Sequence, residues 1–166
     1  MASMKSIYNK VWPSVALALV AAIYLALVYP YRFHFQEQYQ LFLCNGEYAR
    51  EVMSLPGGLA DYVGRFLTQF YYVHGLGPVI LGVCVGLAHG LLMLNMRNKQ
   101  FSFRFLSFIP IAFLWIYLQN MHALLGTGIA FVLALLTTWL LHRITRPVMH
   151  SLFSLLLVPV VYWGAG

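Results

Sequence analysis

The sequence predicts an all-α, polytopic membrane protein with about five transmembrane helices and one amphipathic interfacial helix on the outer face. Its residues are 61% hydrophobic and 8% charged, and the mean hydropathy is +0.77. A soluble domain carries about 25% charged residues, so this chain has too few polar side chains to cover a water-soluble core. The apolar residues also lie in long uncharged stretches. We expect a single transmembrane domain over residues 1–166.

The first predicted span covers about residues 11–31, which contain no charged residue. About 20 apolar residues cross a bilayer core of about 30 Å. Lys5 and Lys10 precede this stretch as they would in a signal peptide. The stretch ends at Tyr29 and Pro30 without the small residues of a cleavage site. We therefore expect a retained membrane anchor.

Four further spans are predicted at about residues 76–96, 104–119, 121–142 and 148–166. The third and fourth come from one uncharged stretch that is too long for a single helix. A polar break, Gln119-Asn120-Met121-His122, divides this stretch into a tight hairpin.

The basic residues predict the orientation, because cytoplasmic loops of membrane proteins are enriched in Lys and Arg. Seven of the ten basic residues lie in segments on the same predicted side of the membrane, namely before the first span, between the second and third, and after the fourth. They are Lys5, Lys10, Arg97, Lys99, Arg104, Arg143 and Arg146. The other three share the loop of residues 32–74 with all four acids, Glu37, Glu47, Glu51 and Asp61. We therefore expect a multi-pass protein of the bacterial inner (cytoplasmic) membrane, with a cytoplasmic N-terminus and residues 32–74 outside.

The outer loop contains the predicted interfacial helix. From Leu59, aromatic and apolar residues recur at helical spacing, and Asp61 and Arg65 form an i,i+4 pair on the opposite side. Such a helix lies along the membrane surface with its aromatic face in the lipid, or it is an ordinary amphipathic connector. Before it, Asn45-Gly46 is typical of a turn, and residues 47–55 are a short helical candidate.

Small residues predict where the spans pack, since membrane helices associate through close contact of small side chains. Gly82, Gly86 and Gly90 form one stripe in the second span. Gly126 begins a second stripe in the fourth span, followed at the same spacing by Ala130 and Ala134. The two stripes pack against each other or against further membrane helices or subunits.

Two polar residues are candidates for chemistry. His89 lies inside the second span, where a polar group is a functional candidate or a residue hydrogen-bonded to a neighbouring helix. Glu37 follows the first span and is a general base or metal ligand, or a solvated acid paired with Arg32. The chain has no HExxH motif, no P-loop and no GxGxxG. We therefore predict no metal site, no cofactor and no nucleic-acid partner, and two unpaired cysteines, Cys44 and Cys84.

Three stretches resemble a family of large uncharacterised Bacteroides-type multi-spanning inner-membrane proteins: residues 33–42 (FHFQEQYQLF), 56–71 (PGGLADYVGRFLTQFY) and 157–164 (LVPVVYWG). Members are several times longer, so the resemblance implies an N-terminal part or a shortened relative. The layout is similar to that of membrane glycosyltransferases that use polyprenyl-phosphate sugars. By that analogy Glu37 activates an acceptor hydroxyl or binds a metal, and Arg65, with Arg32, holds the lipid phosphate.

Three functions are open at this point. The first is a non-catalytic membrane module or an N-terminal part of a larger membrane protein, with membrane lipids as its partners. The second is a lipid-linked-sugar glycosyltransferase, or the part of one that binds a polyprenyl-phosphate lipid. The third is a transporter component, although such proteins usually place polar or broken helices at mid-membrane.

Overall fold

The computed structural model describes residues 2–96, 105–144 and 147–166, and side chains over residues 11–96, 105–144 and 149–166. Within those ranges the chain is helical and forms no strand, which confirms the all-α prediction. The basic residues Arg97, Lys99, Arg104 and Arg146 of the orientation argument lie outside the described residues. Lys5 and Lys10 lie in residues 2–10, the first part of a helix, where the backbone alone is described.

The first two helices are separated by a sharp break. Helix α1 covers Ala2–Val28, and helix α2 covers Pro30–Tyr39. The backbone at Tyr29 leaves the helical region, with φ −127° and ψ 48°, because the ring of a proline disfavours helical geometry in the residue before it. Pro30 then occupies the first turn of the next helix, where its missing N–H costs nothing. Helix α1 therefore ends three residues before the predicted end of the first span.

The segment after α1, residues 30–74, is more helical than the sequence predicts, and we call it the outer segment after its predicted location. It contains α2, α3 (Gly46–Met53), α4 (Gly58–Thr68) and a 3₁₀ turn at Gln69–Tyr72. The predicted turn at Asn45-Gly46 is wrong, because this pair starts α3. The side chain of Asn45 accepts a hydrogen bond from the backbone N–H of Tyr48 at 2.7 Å, so Asn45 is an N-cap, for which Asn is a preferred residue.

Four more helices follow: α5 (Leu76–Asn95), α6 (Phe108–Gln119, after a 3₁₀ turn at Phe105–Ser107), α7 (Leu125–Leu141) and α8 (Pro147–Ala165). Two segments, Val11–Val28 and Leu76–Asn95, are long and apolar enough to cross a membrane, and the described parts of the last three helices are shorter apolar segments. Helix α7 begins four residues after the predicted start of the fourth span. The preceding residues form a turn in which Ala123 donates to the carbonyl of Asn120 at 3.1 Å.

Helix α5 lies at the centre of the packing. Helix α1 runs along one side of it, and α6 and α7 contact it elsewhere. The buried core between these helices includes Leu25, Leu81, Val85, Ile111 and Leu118. Helix α4 packs on a different part of the molecule, against α7 and α8. The outer segment is therefore an integral part of the helical packing rather than a peripheral connector.

The two small-residue stripes do not face each other. A Cβ added at Gly82 would lie 2.5 Å from the carbonyl oxygen of Ala18 in α1, and one added at Gly86 would lie 2.7 Å from the Ala18 Cβ. Gly126 of α7 instead faces α4, where an added Cβ would lie 3.0 Å from the Asp61 Cα. The stripe on α5 thus contacts α1, and the glycine at the start of α7 contacts the outer segment.

Candidate functional site

The outer segment meets two other parts of the chain at one end of the molecule. Gln36 of α2 donates through Nε2 to the carbonyl oxygens of Met121 at 3.2 Å and Ala123 at 2.7 Å, in the turn between α6 and α7. The N–H of Gly57 donates to the carbonyl of Tyr162 in α8 at 3.3 Å. We call these three parts, residues 30–74, 120–124 and 162–166, the cap.

One face of α2 within the cap carries a row of buried polar side chains. Arg32, Gln36 and Gln40 recur at i,i+4 spacing, which places them on one side of a helix, and they are 1%, 2% and 8% exposed. Gln40 accepts hydrogen bonds from the Thr68 hydroxyl at 3.4 Å and, through its carbonyl, from Gln69 Nε2 at 2.8 Å. Both glutamines are therefore bonded to neighbouring elements of the cap.

Arg32 differs from the two glutamines on the same face. Its Nε and Nη1 are buried and have no hydrogen-bond partner in the described part of the chain. Burial lowers the pKa of Arg32, and the nearby Tyr71 and Tyr117 act in the opposite direction. A guanidinium nevertheless stays protonated in proteins. The cap thus encloses a positive charge that no described residue compensates.

Tyr71, from the 3₁₀ turn, is the second buried polar group with an unused hydrogen-bonding atom. Its hydroxyl has no partner among the described residues, and the residue is 2% exposed. Burial raises the pKa of Tyr71, although the charge of Arg32 acts to lower it, so its hydroxyl is protonated at neutral pH. The ring packs edge-on against Phe33 at 5.2 Å. Tyr71 also lines a cleft of about 60 Å³ together with His34 and His74.

Arg65, the other predicted phosphate ligand, is already partnered. Its Nη2 and Nε lie 2.8 and 2.9 Å from Oδ2 of Asp61, which confirms the predicted i,i+4 pair. Its Nη1 donates to the Tyr48 hydroxyl at 3.3 Å. Burial lowers the pKa of Arg65, but the bonds to Asp61 and Tyr48 raise it above the ordinary value. A phosphate would have to compete with these partners.

Glu37 lies away from the buried arginine. It is half-buried on α2, and five residues of helix separate it from Arg32 by about 140° around the axis. The ion pair that the structure shows among the described side chains joins Arg65 and Asp61, not Glu37 and Arg32. Over the same residues, no three His, Cys, Asp or Glu side chains come together as metal ligands would.

His89 lies in the helical core and links three elements. Its Nδ1 is 2.9 Å from the Ser14 hydroxyl of α1, and its Nε2 is 3.5 Å from the Ser107 hydroxyl. Its ring packs on Phe108 at 4.7 Å between centroids. The interpretation of His89 as a histidine hydrogen-bonded to a neighbouring helix is therefore confirmed.

Sequence reasoning missed the buried face of α2 and Tyr71. A signal existed for the first, because Arg32, Gln36 and Gln40 recur at i,i+4 spacing. Polar residues at that spacing usually mark the solvent side of a helix, so burial could be seen only in the structure. Tyr71 belongs to the aromatic and apolar residues that recur from Leu59, and its contact with α2 depends on a fold-back of the chain.

Comparison with known proteins identifies a family. The model of a family of unknown function, DUF6057, matches residues 7–166, which agrees with the resemblance to a family without an assigned activity. Neither a curated protein nor a solved structure matches the chain.

Proposed function

We propose that this chain, which belongs to the family of unknown function DUF6057, is a non-catalytic membrane module of the bacterial inner membrane. Its five apolar helices cross the bilayer, and its cap lies on the outer face. The observation that carries the proposal is the distribution of polarity over the surface. Large apolar side chains are exposed along the helices, and all four acidic residues of the chain lie in the cap.

The exposed apolar side chains come from several helices. Leu27 of α1 is 77% exposed, Phe113 of α6 is 70% exposed, and Leu155 of α8 is 73% exposed. Soluble monomers rarely expose large contiguous apolar patches, and such patches mark interaction or membrane surfaces. Lipid tails would cover these side chains at no hydration cost, so a bilayer suits this surface better than water.

The connectivity also fits an alternating path through a membrane. The end of α1, the turn between α6 and α7, and the end of α8 all belong to or adjoin the cap. Arg143 lies just beyond Leu141, at the other end of α7. Seventeen helical residues separate the two ends of α7 by about 26 Å at 1.5 Å per residue. The arrangement supports an outer cap and an opposite, basic side facing the cytoplasm.

Helix α6 is the shortest of the proposed spans. Its 12 residues extend about 18 Å, against about 30 Å of hydrocarbon. A short span is accommodated by local thinning of the bilayer and by flanking residues that reach the interface, at a modest cost per ångström. The 3₁₀ turn before it adds further apolar residues, including the exposed Phe105 and Leu106.

A glycosyltransferase, or its carrier-binding part, is the second candidate. The uncompensated charge of Arg32 favours it, because a lipid-linked sugar carries phosphate. The position of Glu37 weighs against catalysis, since a base must lie within hydrogen-bond reach of the reacting group. Glu37 and Arg32 point to different sides of α2. We therefore prefer the non-catalytic module.

The orientation can be tested with the native cysteines. Cys44 is exposed in the outer segment, and Cys84 is buried. We expect a membrane-impermeant maleimide to modify the wild-type protein in intact spheroplasts, because Cys44 faces outward. The variant Cys44→Ser should lose this labelling. The measurement is the mass shift of the protein after labelling and denaturation.

The matched control places a thiol at the opposite end. His142 is exposed directly after α7, so His142→Cys in the Cys44→Ser background should react only after the membrane is permeabilised. Labelling of His142→Cys in intact spheroplasts, or protection of Cys44 there, would reject the proposed topology. Release of the protein from membranes by alkaline carbonate would reject membrane integration altogether.

A further inference from the structure

We propose that Arg32 and Tyr71 form a buried binding site for one phosphate-type anion within the cap. The inference deepens the proposed function, on which it rests for the outer-face location of the site. It names the group that the cap binds, and it assigns the contact to Arg32 and Tyr71 rather than to Arg65.

The first argument is the charge of Arg32. Isolated buried charges are strongly unfavourable unless they are paired and hydrogen-bonded. Arg32 is 1% exposed, and its Nε and Nη1 have no partner in the part of the chain that the structure describes. An anion at one edge of this guanidinium supplies the missing charge and accepts at least one of the unused N–H groups.

The second argument is the hydroxyl of Tyr71. It is buried, it interacts electrostatically with Arg32, and it too lacks a described partner. Two buried donors from different elements, α2 and the 3₁₀ turn, are thus left unused in the same region. Buried polar atoms in proteins are nearly always hydrogen-bonded, so unused ones need an explanation. One anion explains both.

The third argument is the contrast with the other polar groups of the cap. Gln36, Gln40, Thr68 and Arg65 all have hydrogen-bond partners there. These polar side chains of the cap are therefore bonded and held in place. Arg32 and Tyr71 differ from these residues, because their buried donors have no described partner. Unused donors among bonded neighbours are typical of a preorganised binding site.

The chemistry of the donors selects the ligand class. A guanidinium presents planar N–H pairs that match the oxygens of a phosphate, and a tyrosine hydroxyl donates one more hydrogen bond. Of the two site residues, Tyr71 lines a cleft of about 60 Å³ together with His34 and His74, which gives a small head group, but not a sugar chain, an approach to the site. A phosphate monoester on a membrane lipid and free inorganic phosphate share this chemistry.

The test measures ligand-induced thermal stabilisation of the full chain in an uncharged maltoside detergent. The probes are inorganic phosphate and dioctanoyl phosphatidic acid, with dioctanoyl phosphatidylcholine as the control of equal chain length. A ligand that binds the folded state alone raises the unfolding temperature in a concentration-dependent way. We expect phosphatidic acid to stabilise the wild type and phosphatidylcholine to leave it unchanged.

The variants locate the site. Arg32→Gln should weaken binding on the order of 10- to 100-fold, as expected for loss of a charged hydrogen bond. Tyr71→Phe keeps the ring and should weaken binding about fivefold. The matched control is Arg65→Gln, which should bind as the wild type does, because Arg65 is partnered by Asp61.

A further variant separates binding from a structural role. Without ligand, Arg32→Met should be at least as stable as the wild type, because it removes an uncompensated buried charge. Its unfolding temperature should no longer respond to phosphatidic acid. A purely structural arginine would instead make Arg32→Met less stable than the wild type without ligand, and that result would overturn the site.

The remaining outcomes also decide. An Arg32-dependent response to inorganic phosphate as well as to phosphatidic acid supports a site for the phosphate group itself, and a response to phosphatidic acid alone supports a lipid head group. Equal stabilisation of wild type, Arg32→Gln and Tyr71→Phe overturns the proposal, as does loss of binding in Arg65→Gln. If Arg32→Gln alone does not fold, Arg32→Met and Tyr71→Phe decide. These measurements in detergent do not depend on topology, so failure here is distinct from failure of the maleimide experiment.

Discussion

Replacing Gly64 by alanine is expected to destabilise the fold by about 2–3 kcal/mol, toward the upper end of the range for overpacked cores. A Cβ at Gly64 of α4 would lie 2.5 Å from the backbone N and 2.7 Å from the Cα of Gly126 in α7. Both obstacles are backbone atoms, which cannot rotate away as a flexible side chain does. Separation of α4 from α7 is therefore the only relief, and it would pull the cap from the helices.

The measurement is thermal unfolding in detergent, followed by the loss of the monodisperse peak in size-exclusion chromatography. For a chain of this size, 2–3 kcal/mol corresponds to a fall of about 5–10 °C in Tm. Gly46→Ala is the matched control, since a Cβ there meets nothing within 4 Å. That change should leave the protein unaffected or raise its stability by about 0.4–1 kcal/mol. Equal effects at the two positions would mean that α4 does not approach α7 so closely.

Replacing Gly82 by alanine is expected to cost about 2 kcal/mol at the α1–α5 contact, within the range for overpacking. An added Cβ would lie 2.5 Å from the carbonyl oxygen of Ala18 and 2.8 Å from the Cβ of Ala22. Helix pairs of this kind depend on close backbone approach. The favourable helix propensity of alanine, about 1 kcal/mol relative to glycine, offsets only part of the clash.

Gly90 provides the control on the same face of α5. A Cβ there would lie 3.5 Å from the Ser14 hydroxyl oxygen, an ordinary van der Waals distance, and the residue borders an apolar groove of about 530 Å³ between α1 and α5. We expect Gly90→Ala to be neutral or mildly stabilising, with Gly86→Ala between the two. The order of Tm values checks this gradient, and an unchanged Tm in Gly82→Ala would contradict the packing of α1 on α5.

The positions of the helices could be predicted well where the composition of a segment is sufficient to identify it as helical. A long uncharged apolar stretch has few alternatives to helix, because its backbone groups must be bonded internally once water is excluded. Residues 76–96 illustrate this, since α5 covers Leu76–Asn95. Boundaries were less certain. The uncharged apolar stretch continues through Tyr31, so the first span was predicted to end there. The helix ends earlier, because Pro30 forces the backbone of Tyr29 out of the helical region.

The candidate site could be predicted only in part. The i,i+4 pair of Asp61 and Arg65 is a local feature of one helix, and the sequence was sufficient to identify it. Arg32 was singled out by its position after the first span, but as a surface partner of Glu37 or a companion of Arg65. Its burial results from the packing of α2 on elements about 40 and 85 residues further along the chain, and no local pattern encodes that packing.

The sequence by itself thus determined that the chain is all-α, where its apolar helices lie, and that its acids are confined to one segment. These properties follow from composition and from periodicity along the chain. Only the tertiary structure decided which faces meet: Gly82 against α1, Gly64 against Gly126, and the polar side of α2 inward. The physical reason is that any small-residue stripe can accept several partners, and the choice depends on how all the helices fill space together. The same folding encloses Arg32 beside Tyr71, and leaves their donors without a described partner.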